Sequence, residues 1–440
     1  MSSVLIKNGF VVTLNDSNEM LPNGSVYIVD DKIADIGTFP DDKYQADRVI
    51  DAKGNIVMPG LINAHHHLYS TFARGFSPPG EPARNFQEIL ERLWWKLDLA
   101  LDEEDVYYSA LIAVMYAARA GCTTIIDHHA SPSCSEGSLD LIEKAFREVG
   151  LSGCLCYEVS DRNEKGEGIA ENERFIKKCQ ASDDDQITAL FGLHALMTLS
   201  TPTLEKSADI AHQLNTGFHV HAAEAEVDVN VTFERYQRRL MDRFLDFGIP
   251  SPQTIFVHGI HFEAREMDLL KTTDSILVNN PESNMNNGLS VTPILEMLSR
   301  GVLVGIGTDG MSSHMISQAR ALYLLQRTYR RDPRVAFGEA ADILLNNNRK
   351  IAERIFKEPR GRLVKGQLAD VIIADYVPFT PLSAANFYGH LLFGLSFART
   401  GTTIARGQVI VDNGHMVGID EEEVRAKCVE RAEKLWSRIH

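Results

Sequence analysis

The sequence predicts an α/β protein, a (β/α)8 barrel of the TIM type with a small β-sandwich domain built from both chain ends. Three observations lead to that expectation. Short apolar runs alternate with helical patterns through the middle of the chain, as parallel βα units require. Strand-like runs without intervening helices lie at both ends. Histidines and an aspartate fall at the carboxyl ends of the middle runs, the rim where such barrels place their chemistry.

Taken in order, residues 4–14 and 24–37 read as β-structure, with a hairpin turn at Asp30-Asp31-Lys32. The middle of the chain offers eight candidate strands at 56–65, 123–127, 151–159, 187–193, 218–222, 254–258, 276–279 and 303–308. The helices between them carry start and stop signals: 110–120 ends at Gly121, and Thr201-Pro202 opens 204–214. Runs at 369–375 and 404–414, the second ending in an Asn413-Gly414 hairpin signal, return to the sheet begun at the N-terminus. The expected division is 1–57 for the N-terminal part of the sandwich, 58–365 for the barrel, and 366–440 for the rest of the sandwich plus a terminal helix. That helix, 420–439, places Val424, Val429, Ala432, Leu435, Trp436 and Ile439 at near-helical spacing, which suits docking onto the body of the protein.

Bulk properties narrow the function. With 440 residues, 44% of them hydrophobic and 24% charged, the chain can bury one large core and a satellite domain. A formal charge of -16 argues against nucleic acid or an anionic membrane as partner and favours small-molecule chemistry. The N-terminus lacks a basic segment followed by a long apolar core, and no stretch approaches about 18 uncharged apolar residues, so a cytoplasmic protein is expected. Six scattered cysteines do not form a disulfide framework, and Cys154-x-Cys156 sits in an apolar run that suits core packing.

His65-His66-His67 ends the first middle strand. Side chains alternate along a strand, so His65 and His67 share a face and can grip one metal ion. His194 follows the fourth strand, His221 the fifth, His258 the sixth and Asp309 the eighth. Three neutral imidazoles and one carboxylate suit a divalent ion, zinc foremost and iron or manganese as alternatives, with a position left for water. In the second His-x-His, His221 lies nearer the strand end and is taken as the ligand, and His219 as buried in the barrel. Glu224, three residues on, can turn back over the site as an acid or base beside a water that the ion brings to a pKa near 7. Its structural alternative is a carboxylate at a helix start. His129, at the second strand end, and Arg74, with the following loop 75–84, are candidates to line or cover the pocket. The charged run 161–168 is another candidate lid, and His261 and His314 are more often structural.

The motifs Met58-Pro59-Gly60-Leu61-Ile62-Asn63-Ala64-His65-His66-His67, His219-Val220-His221-Ala222-Ala223-Glu224, Val257-His258-Gly259-Ile260-His261, Asn280-Pro281-Glu282-Ser283-Asn284-Met285 and Gly307-Thr308-Asp309-Gly310 resemble those of the amidohydrolase superfamily. More narrowly they resemble its branch of mononuclear deaminases and chlorohydrolases. The resemblance runs over nearly the whole chain, including Lys365-Gly366-Gln367-Leu368-Ala369-Asp370 at the return to the β-domain. It implies metal binding by His65, His67, His221 and Asp309, a proton shuttle at Glu224, a water-orienting or deprotonating role for His258, and substrate contact by His194. Asn284, in the fourth motif, joins Arg74 and His129 as an expected substrate contact. The binuclear branch bridges its metals with a modified lysine after the fourth strand; no lysine occurs from Cys179 to Glu205, so one ion per chain is expected. Asn279 stands where branch members commonly have histidine, and Asn286-Asn287 where they commonly have Lys-Leu.

The activity implied is hydrolytic deamination of a purine-, pterin- or triazine-like heterocycle. The alternatives are hydrolytic removal of chloride or an alkylamine from such a ring, or a heterocycle-binding protein that has lost catalysis. Related enzymes commonly assemble, so a homo-oligomer, dimer or larger, is also expected.

Overall fold

The computed structural model describes residues 2–40, 42–162 and 167–439. Two parallel sheets make up the centre. One runs through Leu61–His66, Cys122–Asp127, Ser152–Leu155 and Ile187–Ala189, and the other through Phe191–Leu193, Phe218–Ala222, Ile255–His258, Ile276–Asn279 and Leu303–Ile306. These strands are almost entirely buried, with only Thr188, Ala189 and Leu303 partly exposed, and most are rich in apolar residues, as strands covered on both faces require. Two isolated parallel bridges link the sheets, Val159 with Leu193 and, at a second edge, His66 with Asp309. At that second edge Asn348 acts as a staple, its amide donating to the carbonyls of Ile62 and Ile306, both at 2.8 Å, while its oxygen accepts the Ile306 N–H at 2.8 Å. An asparagine side chain here supplies the hydrogen bonds that a shorter strand end would otherwise leave unmade.

The run expected as one strand at 56–65 is two. Ile56–Pro59 belongs to a separate nine-stranded mixed sheet and Leu61–His66 to the parallel one. The break falls at Gly60, where a Cβ would lie 2.3 Å from the Thr123 side chain, so only glycine lets the chain cross between the layers there. The mixed sheet unites the chain ends: Ile56–Pro59 pairs parallel with Ser3–Val12 and antiparallel with Val371–Ala374. The expected hairpins are present, one between Met20–Val29 and Lys32–Gly37 and one between Gln408–Asp412 and His415–Met416. The 404–414 run, by contrast, is interrupted by a turn at Arg406-Gly407. Ile6, Val26, Ile28, Val57, Val371 and Ile404 are fully buried against this sheet.

The helices obey their sequence signals. Glu103–Arg119 begins at a capping box of Asp102 and Asp105 and ends before Gly121, whose φ is +83°. Thr201–Gln213 is capped by the Ser200 hydroxyl. The terminal helix, Glu421–Ser437, docks on Glu103–Arg119, where Arg431 donates to Asp105 at 2.9 Å. Among the described residues no helix is long and apolar enough to cross a membrane.

Candidate metal centre and catalytic cavity

Each histidine placed at a strand end by the alternation argument has its Nδ1 committed. His67 Nδ1 lies 2.6 Å from the His128 carbonyl, and His221 Nδ1 lies 3.0 Å from the His194 carbonyl. Carbonyls only accept, so both rings carry their proton on Nδ1 and present a lone pair at Nε2. His65 Nδ1 lies 2.8 Å from His219 Nε2, and the buried His65 Nε2 has no partner. The free nitrogens converge. His67 Nε2 is 3.2 Å from His221 Nε2 and 3.1 Å from Asp309 Oδ1, which is itself 3.5 Å from His65 Nε2. The ligand atoms of His65, His67 and Asp309 lie within 4.8 Å of one another, as do those of His65, His221 and His258. Two imidazole lone pairs facing each other in a buried space repel unless a proton or a metal ion sits between them. The donor set therefore fits a divalent cation, and the fixed Nδ1 partners orient the rings for it.

Beside this cluster, the chain leaves Phe218–Ala222 through Ala223, with a left-handed φ of +52°, which turns Glu224 back over the strand ends. Glu224 Oε2 is 3.4 Å from His258 Nε2, and His258 Nδ1 is 2.9 Å from Asn284 Oδ1. Asp309 Oδ2 accepts the Ser283 hydroxyl at 2.5 Å. Burial, reinforced by Asp309, Asp228 and Glu158, pushes the Glu224 carboxyl well above its ordinary range, in the direction of the protonated form. Burial also opposes the charge of Asp309, but N–H donation from the facing His65 and His67 rings, where a proton rather than an ion sits on those nitrogens, outweighs it and holds that carboxylate well below the usual value. Two carboxyl groups a few ångströms apart are thus driven in opposite directions, an arrangement that assigns acid and base roles.

A family model described as the amidohydrolase family matches residues 56–410. The chain belongs to the amidohydrolase family. A 5'-deoxyadenosine deaminase of Methanosarcina acetivorans is 31% identical over 447 residues, with 100% of both chains covered. A 5-methylthioadenosine/S-adenosylhomocysteine deaminase of Halothermothrix orenii is 30% identical, covering 98% of this chain and 99% of its own. Among solved structures, an adenosine deaminase from Xanthomonas campestris with bound zinc superposes with a TM-score of 0.86 at 19% identity over 99% of each chain.

This amidohydrolase surrounds its strand ends with a cavity lined by His67, His194, His221, Glu224, His258 and Asp309. The remaining wall contains Asp98 and Glu158, not singled out from the sequence, with Arg162 of the expected lid run 161–168 between them. Glu158 lies 3.3 Å from His128 Nδ1 and 3.9 Å from His194 Nε2, and Arg162 bridges it to Asp98 at 3.3 and 2.8 Å. Burial opposes the Glu158 charge, but His194, His128 and Arg162 pull its carboxyl far below the ordinary value. Arg162 also stacks on Trp95, 4.8 Å from the ring centroid. Glu158 sits past the third strand, the same signal that marked the histidines. Asp98 and Arg162 meet only in three dimensions.

Several expected residues fall elsewhere. Arg74 does not line the cavity; it lies over Tyr116 at 5.5 Å, in a separate groove that also contains His314. Asn284 touches His258 rather than the cavity, and His129 is buried behind it with Nε2 2.9 Å from the Ser131 hydroxyl. His219 is fully buried, as expected, and serves as the partner of His65. His194 faces the cavity while its Nδ1 meets the Thr198 hydroxyl at 2.7 Å. The loop 75–84 is replaced at the mouth by Phe86, Leu90, Trp94 and Trp95 of the helical segment that follows it. Of the run 161–168, residues 163–166 lie outside the described residues.

His129 yields a prediction. Burial, only partly offset by Glu158, pushes its pKa down to about 3, below the ordinary 6.5. The unfolded chain therefore binds a proton that the folded chain refuses, and stability falls as pH drops below about 6.5 and continues to fall towards 3, by up to about 1.4 kcal/mol per pH unit from this group. His129→Gln should flatten that part of the acid limb in urea unfolding between neutral pH and about 4.5. Parallel curves for the two proteins would show that His129 does not titrate in this way.

Proposed function

We propose that this amidohydrolase removes the exocyclic amino group of a nitrogen heterocycle by hydrolysis, releasing ammonia, with one divalent ion per chain held by His65, His67, His221 and Asp309. The single observation that supports the reading best is the convergence of the His65, His67 and His221 ring nitrogens and one carboxylate beside a buried Glu224 whose carboxyl is raised well above its ordinary range. Zinc is the ion proposed, with iron or manganese as alternatives, in keeping with the ligand chemistry and with the zinc in the adenosine deaminase of similar fold. When bound, the ion acidifies a water molecule and so supplies a nucleophile at neutral pH.

The chain's own residues do the rest. Glu224 delivers a proton to a ring nitrogen, which makes the adjacent carbon electrophilic. His258, whose Nδ1–H is held by the Asn284 oxygen, keeps Nε2 free to accept the proton that the attacking water loses, together with Asp309. A carbon–oxygen bond forms, the proton taken up by His258 and Asp309 passes to the amino group, the carbon–nitrogen bond breaks with ammonia leaving, and the new hydroxyl returns its proton to Glu224. His194, Asp98 and Glu158 face the remainder of the substrate, with Arg162 holding the two carboxylates together.

The relatives' names bring adenosine-type nucleosides to the front of the substrate classes. The accompanying fold is a closed eight-stranded barrel over about 58–365, with 1–57 and 366–440 forming the small β-domain, in a cytoplasmic homo-oligomer. The test is ammonia release by the metal-loaded protein from adenosine, 5'-deoxyadenosine, aminopterins and aminotriazines, with products weighed by mass spectrometry. Deamination of at least one is expected. Release of chloride or alkylamine from substituted triazines with no ammonia from any amine would replace this reading.

A further inference from the structure

Asp228 takes no part in the cavity wall, yet it is buried, and both its carboxylate oxygens are spent on backbone N–H groups of two different loops. Oδ2 accepts the Ala223 N–H at 3.0 Å, directly before Glu224. Oδ1 accepts the Met197 N–H at 3.1 Å, within the turn that follows His194. That turn sets His194: the Thr198 hydroxyl meets His194 Nδ1 at 2.7 Å and donates to the Ala195 carbonyl at 3.0 Å. The helix that carries Asp228, Glu226–Tyr236, grips the turn a second time, because Arg235 donates to the Met197 carbonyl at 2.9 Å. The Ala223 peptide is held from its other side too, its carbonyl accepting the His261 N–H at 3.0 Å.

We infer that Asp228 is a positioning residue that ties the loop carrying Glu224 to the loop carrying His194, so that proton donor and substrate contact keep a fixed separation. A helix-capping role explains less. Asp228 is the third residue of its helix, but neither of the amides it accepts belongs to that helix. Charge on the acceptor makes each bond stronger than a neutral one, and burial prevents water from replacing it. The catalytic consequence rests on the deaminase reading; the mechanical one does not.

The experiment compares the metal-loaded parent with Asp228→Asn, which retains one acceptor oxygen, and with Arg235→Met, which removes the second grip from the exposed side. Hydrogen–deuterium exchange is followed in peptides covering 195–200 and 222–226, alongside metal content and, with 5'-deoxyadenosine as probe, kcat and KM. Asp228→Asn should speed exchange about tenfold in both segments together. It should lower kcat about 10- to 100-fold at unchanged metal content, with KM moving less. A purely structural role would lower the melting point and leave kcat per metal-loaded chain alone. Faster exchange in one segment only, or in both with kcat unchanged, overturns the proposal. Should Asp228→Asn fail to fold, Arg235→Met decides: coupled loops require exchange to rise in 222–226 as well as in 195–200, and a rise confined to 195–200 overturns the coupling. A parent inert toward every amine tested would sink the reaction reading, and the exchange pattern would still decide whether Asp228 ties the loops.

Discussion

Glu224→Gln is expected to lower turnover about 1000-fold, within the 10²–10⁴ range typical of a lost general acid, while leaving metal content unchanged. The substitution preserves shape and keeps a hydrogen-bond donor, but an amide cannot give up and retake a proton during the cycle. In the parent, burial among Asp309, Asp228 and Glu158 raises the Glu224 carboxyl well above its ordinary range, which suits the group to act as an acid. Its contact with His258, 3.4 Å from Oε2 to Nε2, places the donor beside the group that accepts the water's proton. Folding should be unaffected, because a neutral amide costs no more to bury than a protonated acid. The measurement is ammonia release at saturating substrate, normalised to metal content by elemental analysis. A variant within tenfold of the parent would remove Glu224 from the mechanism.

The clustering of the strand-end histidines and Asp309 was legible in the sequence because its signal is local. A strand alternates its side chains, and a histidine at its carboxyl end faces the rim whatever surrounds it. His65, His67, His221, His258 and Asp309 all meet that condition, and the structure brings them together. Between His219 and His221, alternation could not choose, since both share a face; depth separates them, with His219 fully buried against His65. Residues whose role depends on a distant partner gave no such signal. Asn348 joins the Ile62 and Ile306 carbonyls, 286 and 42 residues away in sequence, and nothing near it announces that. The covering of the mouth was expected in the Pro- and Gly-rich loop 75–84, because such loops often carry specificity. Instead Phe86, Leu90 and Trp94, spaced four apart, form one apolar face that packs with Ala225, Met197 and Leu289 at the rim. Arg74 was expected on position alone, but the short helix after His67, Leu68–Ala73, carries it away from the cavity.

His67→Ala is expected to abolish turnover to background, and chelation of the parent should do the same until a divalent ion is restored. His67 sits centrally in the cluster, its Nε2 lying between His221 Nε2 and Asp309 Oδ1 while its Nδ1 is anchored on the His128 carbonyl. Without the ring, His65, His221 and Asp309 lose the arrangement that encloses a cation, and the water near Glu224 keeps its ordinary pKa, far too high to supply a nucleophile at neutral pH. Stability should follow, because an ion that binds only the folded state at about 1000 times its Kd contributes about 4 kcal/mol. Spread over a chain of this size, its loss should lower Tm on the order of 5 °C. In calorimetry, the chelated parent and His67→Ala should melt at similar temperatures, and added zinc should rescue only the parent. Full activity in a protein stripped of metal, or full metal content in His67→Ala, would mean that these side chains meet for some purpose other than holding the ion.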